Sequence, residues 1–314
     1  MRLMYLFIVF CIFCACENNQ KSIVLDSSGN INSVSVVIDK DMWNSRLGDS
    51  IRDFFSSSVY GLPQPEPKFT LNYIPINIFS GFVTRSRSIL VIKLSNTNRI
   101  QFLDDTYAKP QKMVVVEGKD LNQIITSFND KKDSIISVFK ETELKEKMRR
   151  IKKSLYKTDV VEKTLKVKLN FPSSYRIAKL DSNFIWIRRD ISSGSLNLLI
   201  CRNLNDRQAL ILRDSISKAH IPGPIDGTFM KTDYEYIVSS NVYESDEKLI
   251  EETRGLWDVE KQFMGGPFIN QKIKTKNKEE VVMLDAFLFA PGEAKRDYLF
   301  ELEAIMRTFN IISD

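Results

Sequence analysis

The first fifteen residues place the strongest constraint on how this chain can fold. They determine the cellular compartment in which it folds and the number of cysteines in the mature protein. A single basic residue, Arg2, precedes an apolar run of thirteen residues from Leu3 to Ala15. As a helix this run is about 20 Å long, which is too short to cross the roughly 30 Å core of a bilayer. A short apolar run behind one positive charge is typical of a secretory signal peptide, and we predict one over residues 1–15.

The end of this run resembles a lipobox, the processing site of bacterial lipoproteins. Within residues 13–16 (FCAC), only Cys16 follows a small residue, and Phe13 stands where the motif usually has leucine. The resemblance implies cleavage before Cys16 and acylation of its thiol. We therefore expect an envelope protein anchored in a lipid bilayer, at the outer membrane, through Cys16. An ordinary signal peptide or an uncleaved anchor is the alternative.

Removal of the signal peptide leaves few reactive side chains. Cys11 and Cys14 are lost with it and Cys16 is acylated, so Cys201 is left alone and no intramolecular disulfide can form. The chain also has one histidine, His220, and only 12 glycines in 314 residues. Most zinc sites and multi-histidine metal centres are therefore disfavoured. The sequence contains no glycine-rich phosphate loop. We expect no cofactor and no metal.

The mature sequence divides into a polar tether over residues 16–32 and two halves over 33–160 and 161–314. Each half has the order strand, helix, proline-rich break, several strands and amphipathic helix. Runs of strands with helices at their ends predict the α+β class rather than a series of βαβ units. We expect two similar halves of antiparallel strands packed against amphipathic helices, behind the lipoprotein signal peptide.

Two helices carry informative patterns. A long helix from about Asp120 keeps an apolar face whose phase shifts after Phe139, and the last helix, over 293–309, places Glu303 and Arg307 four residues apart as an ion pair. Segment 145–157 is rich in Lys and Arg, which a solvated helix face explains as well as a phosphate-bearing partner does. The envelope location disfavours nucleic acid.

Several segments resemble the bacterial lipoproteins grouped as domain of unknown function 4837. They are GLPQPEP (61–67), TRGLW (253–257), MGGPF (264–268) and APGEAKRDYLFELEAI (290–305). The resemblance spans nearly the whole mature chain and implies an envelope lipoprotein, but it supplies no activity and no site residues. The second half is also similar in pattern to PsbP and Mog1 folds, because PSSY at 172–175 matches the turn that opens one of their strands.

No residue predicts a nucleophilic or phosphate-binding site. His220 follows a helix and is interpreted as a residue that is stabilised at the helix C-terminus when protonated. Cys201 is interpreted as a packed strand residue, and Gly265-Gly266 as a turn that requires positive φ. We therefore assign no catalytic residue.

Carboxylates leave one enzymatic alternative open. Asp226, Glu252 and Asp258 lie in loops or at strand ends. A pair of such groups about 5 to 10 Å apart would suffice for glycoside hydrolysis, a spacing that the linear sequence does not reveal.

The proline-bearing loops 61–67 and 221–227 are the candidate binding sites. Each follows a helix and precedes a run of strands, and proline pre-orders it, which lowers the entropy lost on binding. The candidate partner-binding residues are Pro63, Pro65, Glu66, Pro222, Pro224 and Asp226. We expect a non-catalytic binding or assembly module for an unidentified envelope protein or glycan. The alternative is an envelope hydrolase that uses paired carboxylates.

Acylation of Cys16 is directly testable. Cells grown with a radiolabelled fatty acid are expected to label the wild-type chain and to leave Cys16→Ala unlabelled, because the variant lacks the thiol that is modified. The measurement is label per mole of immunoprecipitated protein. Equal labelling of both chains would contradict the lipobox interpretation.

Overall fold

The computed structural model describes residues 24–245, 248–275 and 280–312. The predicted signal peptide over 1–15, the predicted acylation site Cys16 and the first half of the predicted tether lie outside these residues. In the described ranges, no helix is both long enough and apolar enough to span a membrane.

The first part of the chain, up to residue 151, is built on a five-stranded sheet. The described residues of this part form seven strands, five in that sheet and two in a separate pair: β1 (Leu25–Asp26), β2 (Ser33–Ile38), β3 (Thr70–Pro75), β4 (Ser88–Leu94), β5 (Arg99–Asp104), β6 (Ala108–Lys109) and β7 (Lys112–Gly118). Its helices are α1 (Lys40–Trp43), α2 (Arg46–Phe55) and α3 (Leu121–Ile151), with short 3-10 helices at Ile76–Ile78 and Gly81–Arg85. The sheet order is β3-β2-β4-β7-β5, and β1 pairs separately with β6.

The α+β class is confirmed, but the antiparallel pairing expected for the first half is not what forms. Strand β2 runs parallel to both β3 and β4, β4 runs parallel to β7, and β5 alone is antiparallel in this sheet. The physical reason lies in the connections. Helices α1 and α2 fill the link from β2 to β3, and the 3-10 helices fill the link from β3 to β4. The chain therefore returns to the same end of the sheet before β3 and before β4, so these strands run parallel to β2.

The second part is a seven-stranded antiparallel sheet with helices on both faces. The strands described in this part, seven in that sheet and two in a separate pair, are β8 (Val167–Lys168), β9 (Arg176–Leu180), β10 (Phe184–Ile191), β11 (Gly194–Leu204), β12 (Met230–Ser245), β13 (Lys248–Val259), β14 (Gly265–Thr275), β15 (Val281–Phe289) and β16 (Asn310–Ile311). Its helices are α4 (Asp159–Leu165), α5 (Ala209–His220) and α6 (Arg296–Met306). The order is β12-β13-β14-β15-β11-β10-β9, with β16 paired to β8. Helix α6 packs on one face and α5 on the other.

Helix α3 belongs to both hydrophobic cores, which explains the shifted phase of its apolar face. Ile124, Phe128, Ile135 and Phe139 pack in the core of the first part. Leu144 and Ile151 pack in the core of the second part, against α6. The five-residue step from Phe139 to Leu144 turns the helix by about 140°, since each residue advances about 100°. One helix therefore presents one side to each core.

Ion pairs join α3 to α6 and to the residue that follows it. Lys140 Nζ lies 3.0 Å from Glu303 Oε1, and Lys147 Nζ lies 2.7 Å from Glu301 Oε2. Arg307 pairs with Glu141 of α3 at 3.6 Å. The pairing of Glu303 with Arg307 expected from their spacing is thus replaced by contacts between helices. Much of the basic charge of segment 145–157 is balanced inside the chain, because Arg149 and Arg150 both bond Glu146.

Residues 25–32, predicted as part of the tether, belong to the fold. Leu25 and Asp26 pair with β6, and Ile31 is buried in the core of the second part. The backbone N–H of Asn32 donates to Glu143 Oε2 at 3.1 Å. The segment is rich in polar residues, yet its backbone groups form hydrogen bonds with the buried side chains of Glu143 and Arg87.

The carboxylate of Glu143 on α3 is fully buried and bonded on both oxygens. Arg87 donates to it twice, at 3.0 and 2.9 Å, and Ser88 Oγ donates at 2.8 Å. Arg87 also donates to the carbonyl of Asn30 at 2.8 Å. The pair therefore fixes the start of β4, the chain before β2 and the middle of α3 in one place.

Arg87→Met is expected to lower the free energy of unfolding by about 3–5 kcal/mol, because it leaves the Glu143 carboxylate buried without its cation. Arg149→Met is the matched control, since this arginine also pairs with a glutamate but its side chain is 44% exposed. The control should cost less than about 1 kcal/mol. Urea unfolding measures both values, and equal losses would contradict the assigned role of Arg87.

Candidate functional site

A cleft of about 580 Å³ lies between the two parts of the fold. The first part contributes Tyr60 and Lys68 beside the first proline loop, and Ile136 and Lys140 of α3. The second part contributes side chains of β12, β13 and α6, among them Arg254 and Glu303. We call this the central cleft. Since ligand sites occur preferentially where two units meet, it is the first candidate site.

A row of alternating charges lines one wall of the central cleft. Lys140 and Arg254 both contact Glu303, at 3.0 and 3.3 Å. Arg254 Nε also donates to Glu252 Oε1 at 2.9 Å, and Gln271 donates to Glu252 Oε2 at 2.8 Å. Burial by itself would raise the pKa of Glu303, but the charges of Arg254 and Lys140 lower it to about 2. Glu303 therefore stays ionised at any physiological pH.

The rim of the central cleft presents an aromatic ring beside a cation. Tyr60 is 68% exposed, and Lys68 Nζ lies 5.4 Å from the centre of its ring. Within the described part of the chain, the Lys68 ammonium has no carboxylate partner. Such a pair offers a flat apolar surface and an unneutralised positive charge to the same ligand.

The first proline loop is docked on the second part of the fold through Glu66. Both Glu66 carboxylate oxygens accept backbone N–H groups at the start of α6, from Lys295 at 2.6 Å and Arg296 at 2.8 Å. A carboxylate at a helix N-terminus satisfies free donors and favours the helix dipole. Glu66 is therefore half-buried in an internal contact, whereas Pro63 and Pro65 are exposed. Whether they contact a partner stays a prediction.

The second proline loop borders a different cavity, of about 660 Å³. Pro222 lines this cavity together with Lys179, Trp186, His220 and Phe229. Pro224 and Asp226 are exposed at the tip of the loop. The second loop thus lines a cavity through Pro222, whereas residues 61–67 do not line the central cleft and only their neighbours Tyr60 and Lys68 do. Binding by these residues also stays a prediction.

His220 is the last residue of α5, and its ring is stacked rather than solvated. The ring lies 3.9 Å from that of Phe184, centre to centre, with an angle of 11° between the planes. Lys179 Nζ lies 2.9 Å from His220 Nδ1. An ammonium can only donate, so Nδ1 accepts and the ring proton sits on Nε2. Burial and the charge of Lys179 lower the pKa of His220, so protonation at the helix end, as first interpreted, is opposed.

The three candidate carboxylates lie in three different surroundings. Glu252 is bonded to Arg254 in the central cleft, and Asp226 is exposed on the second loop. Burial raises the pKa of Asp258, the direction that a general acid needs, but Asp258 lines neither cavity. In the ranges that the structure describes, no group of three His, Cys, Asp or Glu side chains could hold a metal ion.

The motif glycines serve strand packing rather than a turn. Gly266 lies within β14 and pairs with Trp257 of β13. A Cβ on Gly266 would come 2.0 Å from the carbonyl oxygen of Leu288, so only glycine fits this position. Trp257 Nε1 donates to that same oxygen at 3.2 Å. The turn interpretation of Gly265-Gly266 is therefore wrong, while Cys201 is buried in β11 as predicted.

Sequence reasoning missed the residues that form the central cleft. Arg254 stands inside the TRGLW segment, and Lys140 and Glu303 stand on the two amphipathic helices, but none was recognised as a site residue. Lys140 and Glu303 are more than a hundred residues apart in the sequence, and Arg254 and Glu303 are 49 residues apart. The sequence does contain one signal for the cleft. The apolar face of α3 shifts its phase after Phe139, which indicates a helix that packs between two cores.

Comparison with families matches each part of the chain separately. Residues 154–308 match the family described as "Domain of unknown function (DUF4837)", and residues 27–152 match "Domain of unknown function (DUF8532)". The resemblance inferred from TRGLW, MGGPF and the last helix is confirmed. It covers the second part, so GLPQPEP at 61–67 lies outside it. No curated protein matches the sequence.

Solved structures resemble part of the fold at low scores. The Ran-binding protein Mog1p of Saccharomyces cerevisiae is 7% identical, with a TM-score of 0.33, over 47% of this chain and 91% of Mog1p. LpqN of Mycobacterium tuberculosis, which is involved in cell envelope biogenesis, is 10% identical with a TM-score of 0.30, over 47% and 83% of the chains. A Bacteroides thetaiotaomicron protein is 10% identical with a TM-score of 0.27, over 48% of this chain and 46% of that one. Such scores carry no argument about function.

The environment of His220 predicts a pH dependence of stability. Its pKa in the folded chain lies below the value of 6.5, so as the pH falls through 6.5 the unfolded chain takes up a proton that the folded chain does not. The free energy of unfolding therefore decreases toward acid. His220→Gln removes this contribution and should show a shallower decrease between about pH 5 and 7.5.

Urea unfolding across this range measures the difference. Because the chain has a single histidine, every other titrating group is shared by the two proteins and cancels in the comparison. Parallel curves for wild type and His220→Gln would contradict the half-buried, neutral ring.

Proposed function

We propose that this chain, whose second part matches the DUF4837 family and whose first part matches the DUF8532 family, is a lipid-anchored envelope protein that binds an acidic glycan in its central cleft. The anchor is acylated Cys16, as the resemblance of residues 13–16 to a lipobox implies. The single observation that carries the glycan proposal is the excess of cations around an exposed aromatic ring in the cleft.

The charge of the cleft favours an anionic ligand. Lys68, Lys140, Arg254 and Arg296 line it, against the carboxylates of Glu252 and Glu303. Arg254 binds both of these carboxylates, and Lys140 binds Glu303, whereas Lys68 has a cation–π contact with Tyr60. A ligand carboxylate that reaches Lys68 therefore meets a positive charge that is not already paired with an acid.

The polar lining favours a sugar chain over an apolar peptide. Asn32, Ser137, Ser239 and Asn241 line the cleft beside the charges. Hydroxyl and amide groups can both donate and accept hydrogen bonds, as sugar hydroxyls require. The ring of Tyr60 offers a face on which a sugar ring can lie. A protein partner would instead call for an apolar, charge-depleted centre.

The hydrolase alternative has less support. A glycoside hydrolase needs a carboxylic acid that is protonated before bond cleavage. Glu303 has a pKa of about 2 and Glu252 shares Arg254 with it, so neither is placed to act as that acid. We therefore propose binding without turnover.

Isothermal titration with a galacturonate hexamer tests the proposal. The wild-type chain is expected to bind it and to bind maltohexaose, a neutral chain of equal length, much more weakly. Tyr60→Ala and Lys68→Ala should each weaken binding about tenfold, since a contact of this kind contributes on the order of 1.4 kcal/mol.

Lys132→Ala is the matched control, because Lys132 Nζ lies 5.3 Å from the ring centre of Phe54 outside the cleft. It should leave the affinity unchanged. Equal binding of the neutral hexamer, or equal losses in all three variants, would overturn the proposal.

A further inference from the structure

A group of exposed apolar side chains lies where the described chain begins. Five residues form it: Leu25, Ile76, Ile78, Phe82 and Tyr107. Phe82 is 71% exposed and Ile78 is 54% exposed, so both present most of their apolar area to solvent. We call these five residues the N-terminal apolar patch. Exposed apolar groups gathered on one surface indicate an interaction site.

Named contacts hold the patch together. Leu25 pairs with Ala108, the residue after Tyr107. The Tyr107 ring packs edge-on against Phe79 at 5.8 Å, and Phe79 follows Ile78 directly. Arg85 lies 5.5 Å from the centre of the Phe82 ring and donates to the carbonyl oxygen of Asp26 at 3.0 Å. These contacts bring β1, the residue before β6 and the two 3-10 helices next to one another, and these segments carry the five residues of the patch.

The patch and the central cleft lie on opposite sides of the first sheet. Alternate residues of β4 and β7 face the two sides, so Leu90 and Val114 pack toward α2 and α3, whereas Ile89 and Met113 pack toward Phe79 and Val83. The segment that carries the patch covers this second side. A partner on the patch would leave the cleft open.

The length of chain before the patch limits how far it can lie from the anchor. Eight residue steps separate Cys16 from Val24, which span at most about 28 Å when fully extended. A flexible chain of this length has a typical span of about 16 Å. Leu25 comes next, so the patch must stay close to the surface of the bilayer that holds Cys16.

We propose that the N-terminal apolar patch docks on the bilayer in which Cys16 is anchored, so that Phe82 and Tyr107 enter its interface. This inference rests on the anchor in the proposed function. Aromatic and large aliphatic side chains favour the headgroup region, where their apolar parts leave water. The tether supplies a high effective concentration, so even weak contacts keep the face docked.

The charges around the patch favour apolar docking over attraction to anionic lipids. Lys109 pairs with Asp105 at 3.5 Å, and Arg85 donates to the backbone carbonyl of Asp26, whose side chain is exposed. Because two cations, Arg85 and Lys109, are matched in number by the two acids Asp26 and Asp105, binding should be similar on phosphatidylcholine vesicles with and without phosphatidylglycerol. A strong preference for the anionic vesicles would contradict this mode of docking.

The test uses the acylated full-length chain in phosphatidylcholine vesicles. The exposed Phe82 is replaced by Phe82→Cys and labelled with the fluorophore NBD. Phe263→Cys is the matched control, because Phe263 is fully exposed on the turn between β13 and β14. Cys201 does not interfere, since it is buried and burial raises its pKa to about 11. Doxyl-labelled lipids should quench the Phe82→Cys emission several-fold and leave that of Phe263→Cys nearly unchanged.

Each other outcome is decisive. If the labelled chain does not float with the vesicles, the anchor is wrong and the docking argument fails with it. If it floats and both labels stay unquenched, the anchor holds and the docking proposal alone is wrong. A blue shift at position 82 without lipid quenching would mean that a second copy covers the patch, which also overturns the proposal.

Discussion

The buried carboxylate of Glu143 is the contact on which the arrangement of the two parts depends. It lies on α3 between Phe139, in the first core, and Leu144, in the second. Because Arg87, Ser88 and Asn32 all bond it, the sheet, the start of the fold and the shared helix are fixed at one point. A carboxylate in such a place is tolerated only when both oxygens are satisfied. The same helix lines the central cleft with Ile136, Ser137 and Lys140, so this contact also positions one wall of the cleft.

Local patterns were enough to predict much of the fold, because helices and antiparallel hairpins depend on neighbours in sequence. The spacing of Leu212 and Ile216 predicted α5, and alternation predicted the strands of the second part. The parallel strands of the first part were missed, because β2 and β3 read as ordinary strands whatever their direction. Direction is set by the length and path of the connection, which neither strand records. The prediction of a turn at Gly266 failed for a similar reason. Glycine is required there because the carbonyl oxygen of Leu288, on another strand, leaves no room for a side chain.

The site was harder to predict than the fold. Proline loops stand out in a sequence, and of the two the second lines a cavity, whereas the first lies next to residues of the central cleft without lining it. The row from Lys140 to Glu252 does not stand out, because charged residues on helix and strand faces are normally solvated. What makes Glu303 unusual is its two cationic neighbours, Lys140 and Arg254, and these come from different parts of the chain. Glu66 shows the converse case, in which an exposed-looking loop residue caps a helix 229 residues away.

Sharing α3 between two cores has a consequence for the order in which the protein matures. A ribosome releases the chain from its N-terminus, so Leu144 and Ile151 emerge long before Leu302 and Ile305, the α6 residues that share their core. Until α6 arrives, one side of α3 is an uncovered apolar stripe, the kind of surface that promotes aggregation. If the chain is exported to the envelope, as we propose, this interval calls for a holding chaperone. Neither part has a complete core of its own when the shared helix is taken away, so the two matched families are joined here into one folding unit.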